Sequence, residues 1–146
     1  MKIEIKPYQK LDESKITIEY QEGDLRTEEI IDFIKFQGLE FIGKKNDRSY
    51  VIKLNDIFYI ESSEEQCFLY TKDDVYECRY RLYQVESMHQ FLIRVNKNIV
   101  VNYKKIKYFK STLNGKLEAS LLNQDRIEIS RRYVSHLKSI LEGVKS

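Results

Sequence analysis

From Leu39 onward, the sequence is dominated by short stretches with the composition and alternation of β-strands. Period-two alternation places successive side chains on opposite faces of a sheet. The predicted strands are Leu39–Lys44, Ser49–Leu54, Ile57–Glu61, Cys67–Thr71, Val75–Cys78, Ile99–Val101, Ile106–Ser111, Leu117–Leu121 and Arg126–Ile129. Strands and helices do not alternate regularly, so a Rossmann-type parallel sheet is not expected.

Turn and helix signals complete this mainly β pattern. Asn114-Gly115 predicts a type I′ hairpin, because both residues tolerate positive φ. A short helix over Arg81–Met88 would bury Leu82 and Val85. Ser130 is a good N-cap for a final helix. That helix would bury one stripe of side chains, formed by Tyr133, Val134, Leu137, Ile140 and Leu141.

The first 39 residues predict a small ββα unit. Lys2–Lys6 and Lys15–Tyr20 alternate like short strands, and Asp24 can cap a helix that ends at Gly38. The helix would bury three apolar side chains, Ile30, Phe33 and Ile34. Such a unit is too small to hold a core alone, so it should pack on the rest or on a second copy. The predicted division is residues 1–39 and 40–146.

The net charge of +2 combines an acidic N-terminal end with a basic remainder. Residues 1–39 contain six Lys and Arg against nine Asp and Glu, whereas residues 40–146 contain nineteen against fourteen. This surplus is modest, so contact with nucleic acid would need a focused patch. The N-terminus has no signal-peptide pattern, and no run of about 20 apolar residues is present, so a cytoplasmic location is expected.

The segment Phe91–Asn102 joins a cationic, amide-rich cluster to an apolar run that would anchor it in a sheet. It lies within Ser87–Leu117, which contains no Asp or Glu and seven Lys and Arg. Such an interval suits a polyanion, because each cation that meets a phosphate releases a condensed counterion. We predict base contacts by Asn96, Lys97 and Asn98, and phosphate contacts by Arg94, Lys104, Lys105 and Lys107. The alternative is an ordinary charged hairpin loop.

A second basic candidate opens the final helix. If Ser130 is the N-cap, Arg131 and Arg132 occupy the first turn, on the side away from Tyr133. Two cations there oppose the helix dipole, which favours anions at this end. A phosphate would relieve the conflict, because it meets both free backbone N–H groups and guanidinium groups. The alternative is an exposed pair, tolerated at a few tenths of a kcal/mol per charge.

Catalytic patterns are sparse. His89 and His136 have no nucleophile pattern around them, and neither a phosphate-binding glycine loop nor metal-ligand spacing is present. A small hydrolase using Glu61, Glu64 and His89 is the weaker alternative, since it needs one deep pocket that joins them.

Two cysteines make neither a disulfide framework nor a zinc site. A turn near residues 72–74 would place Cys67 and Cys78 opposite each other on neighbouring strands. We expect two reduced, partly buried thiols, with a redox switch as the alternative.

Four segments, in this order and spacing, resemble the LytTR DNA-binding domain of bacterial transcription regulators. They are Asp56–Ser62, the helix Leu82–Met88, Phe91-x-x-Arg94 leading to Ile99–Asn102 and Ile106, and Ile127-x-Ile129-Ser130-Arg131-Arg132-Tyr133 with its helix. The similarity covers roughly residues 44–142. The Ile-Val-Val-Asn run combined with the late Ile-Ser-Arg is more specific than either motif alone.

The resemblance implies a mainly β (α+β) fold, an elongated stack of small antiparallel sheets with short helices, here preceded by the ββα unit. Loops on one side would enter successive major grooves and bend the DNA. The implied base-contact regions contain Gln66 and Cys67 after the first strand, the tip Asn96–Asn98, and Arg131 and Arg132. Many members have His, a basic residue and Ser at that tip, so the base read there is not implied. Asn102 is expected to bond the backbone where the loop joins the sheet.

Many members join this domain to a receiver domain of about 120 residues, for which residues 1–39 are too short. The prediction is therefore a stand-alone, response regulator-like, bacterial transcription regulator that binds double-stranded DNA sequence-specifically. It would be no enzyme, would use no cofactor, metal or small-molecule substrate, and would bind repeated half-sites as a homodimer. The acidic N-terminal unit is the candidate self-association surface, and the resemblance implies an inhibitory membrane protein partner. The alternative is an adaptor whose basic strip docks an acidic protein.

Overall fold

Ten strands and three α-helices are present in residues 1–35 and 39–142, the part of the chain that the computed structural model describes. The chain divides into two units, residues 1–37 and 38–146. The helices are α1 (Leu25–Lys35), α2 (Leu82–Met88) and α3 (Arg131–Leu141). The strands are β1 (Glu40–Lys45), β2 (Arg48–Lys53), β3 (Tyr59–Ser63), β4 (Gln66–Tyr70), β5 (Val75–Cys78), β6 (Leu92–Asn96), β7 (Ile99–Asn102), β8 (Ile106–Ser111), β9 (Leu117–Leu121) and β10 (Arg126–Ile129).

The helix of the first unit begins where the sequence predicts. The Asp24 carboxylate accepts hydrogen bonds from the Thr27 hydroxyl (2.8 Å) and the Thr27 backbone N–H (3.4 Å). The hydrogen bond from the hydroxyl lowers the pKa of Asp24 most, and the bond from the backbone N–H adds to it, because both favour the charged carboxylate. The N-cap prediction is confirmed, whereas the predicted helix end at Gly38 lies outside the described residues.

The rest of the predicted ββα arrangement is wrong. Lys2–Lys6 and Lys15–Tyr20 belong to no sheet. A strand needs a neighbour to pair its N–H and C=O groups, and residues 1–35 provide none. The predicted burial on α1 is wrong as well, since Ile30, Phe33 and Ile34 are 39%, 57% and 37% exposed. The described part of the first unit therefore contains one helix and no sheet.

Two antiparallel sheets make up the second unit. One has seven strands in the order β2-β1-β5-β4-β3-β7-β6, and the other has three in the order β10-β9-β8. Every neighbouring pair is antiparallel. The predicted mainly β fold with short helices is therefore confirmed, and the predicted strands lie within two residues of the observed ones.

One strand, β6, escapes the sequence prediction because both of its faces are buried. Leu92 packs into one hydrophobic core, whereas Ile93 and Val95 pack into another. A strand covered on both faces loses the alternation of apolar and polar residues that marks a half-exposed strand. On β7, Val100 and Val101 likewise point into different cores. These two strands therefore form the shared wall between the cores.

The short helices cover these cores as the sequence predicts. Leu82 and Val85 of α2 are buried in the first core, and Leu137 of α3 is fully buried in the second. The other residues of the predicted α3 stripe are half-buried against the same core: Tyr133, Val134, Ile140 and Leu141. The Asn114-Gly115 hairpin between β8 and β9 is also confirmed, with φ values of 65° and 76°.

The two cysteines lie opposite each other on β4 and β5, as the sequence predicts. Their sulfurs form a disulfide, so the expectation of two reduced thiols is wrong. Directly opposed positions on neighbouring strands bring the Cα atoms of Cys67 and Cys78 to 5.1 Å, within the range a disulfide spans. The bond closes the end of the β4–β5 pair.

Candidate nucleic-acid interface

Four turns of the second unit meet along one edge, which we call the loop edge. Its members are Glu64–Gln66 between β3 and β4, Asn96–Asn98 between β6 and β7, Leu113–Gly115 between β8 and β9, and Ser130–Arg132 at the start of α3. The antiparallel pairings place these strand ends on one side. The predicted positions Gln66, Lys97 and Arg131 therefore belong to one surface although they are distant in sequence.

Direct contacts join each turn to the next. The Ser62 N–H donates to the Asn98 carbonyl (2.8 Å), which links the first two turns. The Ser130 N–H donates to the Val95 carbonyl (2.9 Å), which links the start of α3 to β6. The loop edge therefore has a fixed backbone rather than four independent loops.

The start of α3 also contacts the β8–β9 hairpin. A Cβ atom added to Gly115 would lie 3.2 Å from Cδ and 3.5 Å from Cγ of Arg131. The glycine thus gives room for the aliphatic stem of Arg131 while adopting a positive φ. This packing directs the side chain of Arg131, which remains exposed.

The Asn96–Asn98 tip is held from within by Arg94. The Arg94 guanidinium donates to the carbonyls of Asn96 (Nε, 2.7 Å) and Lys97 (Nη2, 2.6 Å), and it pairs with Glu86 at 3.1 Å. Asn96 adds two bonds, since its Nδ2 donates to the Glu128 carbonyl (2.9 Å) and its Oδ1 accepts from the Asn98 N–H (2.8 Å). Lys97 and Asn98 keep exposed side chains on this fixed tip.

The first turn of α3 presents cations and open donors. Ser130 occupies the N-cap position, but within the described residues its side chain makes no capping hydrogen bond. The guanidinium of Arg132 lies over the Tyr133 ring, 5.5 Å from its centroid. Arg131 and Arg132 are both exposed in the first turn, where the backbone N–H groups of a helix have no partner within the helix.

The β3–β4 turn separates its predicted site residues. Glu64 and Glu65 form the turn with φ values of 49° and 68°, and Gln66 follows them with an exposed side chain. Cys67 is only 8% exposed and its sulfur is bonded to Cys78. Of the two predicted site residues, Gln66 is therefore the one whose side chain can reach a ligand.

A cleft of about 820 Å³ opens beside the loop edge and contains two arginines that the sequence prediction missed. Its lining includes Gln66, Arg94 and Lys97, together with Arg79 and Arg81 from the β5–α2 connection. The two arginines precede the carboxylate-free interval Ser87–Leu117, on which the predicted basic patch rests. Their signal in the sequence is the alternation Arg-Tyr-Arg directly after a predicted strand.

Three predicted phosphate contacts lie at the other end of the strands. Lys104 and Lys105 follow β7, at its opposite end from the Asn96–Asn98 tip, and Lys107 lies at the start of β8. Their surroundings are partly aromatic: Lys104 Nζ lies 5.1 Å from the Phe91 ring centroid, and Lys105 Nζ lies 5.1 Å from that of Phe58. These lysines are therefore not part of the loop edge.

The groups of the hydrolase alternative have structural partners. Glu61 accepts a hydrogen bond from the Tyr70 hydroxyl (3.0 Å). Burial, followed by this hydrogen bond, raises the pKa of Tyr70 to about 12. His89 is buried, and its Nδ1 accepts from the Phe91 N–H (2.9 Å). It lines a cavity with Glu86 and with residues of α3, and neither Glu61 nor Glu64 lines that cavity.

Comparisons with known proteins agree with this fold. Residues 47–142 match the LytTr DNA-binding domain family. The Sensory transduction protein LytT of Enterococcus faecalis is 26% identical over 97 residues, which cover 65% of this chain and 40% of that protein. A LytTr DNA-binding domain from Bacillus cereus superposes with a TM-score of 0.65 at 19% identity, covering 70% of this chain and 95% of that one. None of the helices within the described ranges is long and apolar enough to cross a membrane.

Proposed function

Because the chain belongs to the LytTR DNA-binding domain family, whose members regulate transcription, we propose that it reads double-stranded DNA with the loop edge. The observation that carries this proposal is the set of contacts that fixes four turns along one edge with Lys97 and Arg131 exposed. Fixed loops that carry exposed cations can be aligned with a groove without an ordering cost at each contact. Turns at different points of the edge would enter successive major grooves.

The proposed base contacts use side chains that are exposed on the loop edge. Lys and Arg suit the two acceptors of guanine, and Asn and Gln suit the donor–acceptor pair of adenine. We assign base contacts to Gln66, Lys97, Asn98, Arg131 and Arg132.

The remaining predicted contacts are not assigned to DNA, for reasons that differ from residue to residue. Asn96 uses both ends of its amide to fix the tip, so we assign it a positioning role. Arg94 has the same role, since its guanidinium already binds two carbonyls and Glu86. Cys67 is left out because it is buried in a disulfide. Lys104, Lys105 and Lys107 are left out because they lie at the far end of the strands.

The first test measures how the affinity of the full chain for a random-sequence duplex depends on salt. We expect the logarithm of the binding constant to fall with the logarithm of salt concentration, with a slope of about −3 for three or four neutralised phosphates. Lys105→Ala should leave the slope unchanged, whereas Lys97→Ala should make it shallower. An adaptor that docks an acidic protein would show no salt-dependent affinity for duplex, and that result would contradict DNA binding.

We further propose that the chain binds repeated half-sites as a homodimer, joined through the exposed apolar side of α1. Ile30, Phe33 and Ile34 form this side, and a second copy would remove them from water. Light scattering of the full chain should give twice the monomer mass, and Phe33→Glu should shift it to the monomer. Val51→Glu, at an exposed apolar residue of β2, is the matched control. An unchanged mass for Phe33→Glu would contradict this surface. The inhibitory membrane protein partner stays a prediction of the resemblance.

A further inference from the structure

We propose that Arg79 and Arg81, in the connection between β5 and α2, form a clamp for the phosphate backbone of the bound DNA beside the base-reading Lys97. This inference rests on the proposed function and adds to it a wall of the interface that the three family loops do not include. It assigns the cleft beside the loop edge to a DNA strand rather than to a small molecule.

The strand pairing places the two arginines beside the base-reading turn. Cys67 on β4 lies opposite Cys78 on β5, and the disulfide fixes this register. Because the strands are antiparallel, the chain that leaves β5 passes the beginning of β4, where Gln66 is located. Arg79 and Arg81 therefore line the same cleft as Gln66 and Lys97.

Tyr80 directs its two neighbours outward. Its hydroxyl accepts a hydrogen bond from the Ile42 N–H (2.7 Å), and its ring packs edge-on against Phe41, with centroids 5.3 Å apart. Side chains alternate along an extended chain, so the residues on either side of an inward Tyr80 face solvent. Arg79 and Arg81 are both exposed. Positions two apart on one face of an extended chain lie about 7 Å apart, which lets the two guanidinium groups contact different phosphates of one strand.

The charges of the cleft favour an anion. Four cations line it, Arg79, Arg81, Arg94 and Lys97, against the two carboxylates of Glu65 and Glu77. Arg94 is paired with Glu86, but within residues 39–142 no ion pair engages Arg79 or Arg81. Exposed, unpaired cations on a fixed wall are the usual contacts to phosphate, whereas base reading needs side chains that reach into the groove.

The test compares variants of the full chain by fluorescence anisotropy on a specific duplex and a scrambled duplex. At about 0.15 M salt, each lost phosphate contact should weaken binding roughly fivefold, because one released counterion contributes that factor. Arg79→Ala and Arg81→Ala should each show this loss on both duplexes and reduce the salt slope by about one unit. Arg79→Lys and Arg81→Lys should retain most of the affinity. Arg126→Ala is the matched control, since Arg126 is exposed at the far end of β10.

Three results would overturn the clamp. The first is unchanged binding by the Arg79→Ala/Arg81→Ala double variant while Lys97→Ala binds weakly; the proposed function would then stand without the clamp. The second is a loss confined to the specific duplex, which would make the arginines base readers. The third is displacement of DNA by inorganic phosphate at constant ionic strength, abolished by the double variant, which would identify a site for a free anion. Unchanged binding by Lys97→Ala would separately contradict the proposed function.

Discussion

Lys97→Ala and Arg131→Ala should each weaken binding to the specific DNA target by about 1–3 kcal/mol, the range of one good contact to a base edge. Both side chains are exposed on backbone that neighbouring elements hold in place: Arg94 bonds the tip that carries Lys97, and Gly115 supports the stem of Arg131. Truncation therefore removes the contact without removing the support of the loop edge.

Mobility-shift titrations with the specific and a random duplex would measure these losses. The loss should be larger on the specific duplex, because a base contact adds to the sequence-independent attraction of a cation. Lys53→Ala is a suitable control, since Lys53 is exposed on β2 and lies outside the loop edge. Normal affinity of both variants for the specific target would contradict this assignment.

The Lys97→Ala/Arg131→Ala double variant tests whether the two residues contact DNA at separate points. Lys97 and Arg131 lie on different turns of the loop edge, so they should contact different bases. Losses at independent sites add to within a few tenths of a kcal/mol. A double variant that loses no more than either single variant would mean that the two residues act on one shared contact rather than in two places along the DNA.

The second unit could be predicted from the sequence where local pattern and tertiary environment agree. Half-exposed strands such as β10 keep their alternation of buried and exposed residues, and Asn114-Gly115 specifies its own turn. Strand β6 lacks this alternation, because both of its faces are buried. Lys2–Lys6 shows the opposite failure: it has the alternation of a strand but lies in no sheet, since pairing requires a neighbour that a local pattern cannot supply.

The candidate site also contains some residues that the sequence could indicate and others that it could not. Lys97 and Arg131 could be singled out from charge and from their position at a strand end and a helix start. The role of Arg94 could not be predicted, because the Asn96 and Lys97 carbonyls come within reach of its guanidinium only once the β6–β7 tip has folded. Composition does not indicate Arg79 and Arg81 either, because they reach the loop edge through the pairing of β4 with β5.

Asn102→Ala should lower the free energy of unfolding by about 2–4 kcal/mol, because it removes the partners of buried backbone groups. Asn102 is 2% exposed. Its Nδ2 donates to the carbonyls of Ile57 (3.0 Å) and Leu54 (3.4 Å), and its Oδ1 accepts from the Lys104 N–H (3.1 Å). The predicted structural role of Asn102 is thereby confirmed. Alanine would leave the buried Ile57 carbonyl without this partner, which costs about 1–3 kcal/mol, and would also remove the acceptor of the Lys104 N–H.

Urea denaturation would measure this effect as a lower midpoint at an unchanged slope. Asn55→Ala is the matched control, since Asn55 is exposed and has no side-chain hydrogen bond among the described residues. Asn102→Asp refines the test, because aspartate keeps the acceptor for Lys104 but turns a carboxylate oxygen toward the two carbonyls. It should destabilise the fold at least as much as alanine does. A midpoint like that of the parent chain in either variant would contradict the proposed role of these hydrogen bonds.

The Asn102→Ala variant also distinguishes a residue that stabilises the fold from one that contacts DNA. Asn102 joins the end of β7 to the segment before β3, and these two strands lead directly to the turns of the loop edge. It is buried, so it cannot contact DNA itself, and we expect it to affect binding through the folded fraction of the chain. At a temperature where Asn102→Ala stays folded, its DNA affinity should therefore match that of the parent chain. A loss of affinity without unfolding would mean that the Asn102 bonds also set the positions of Lys97 and Gln66.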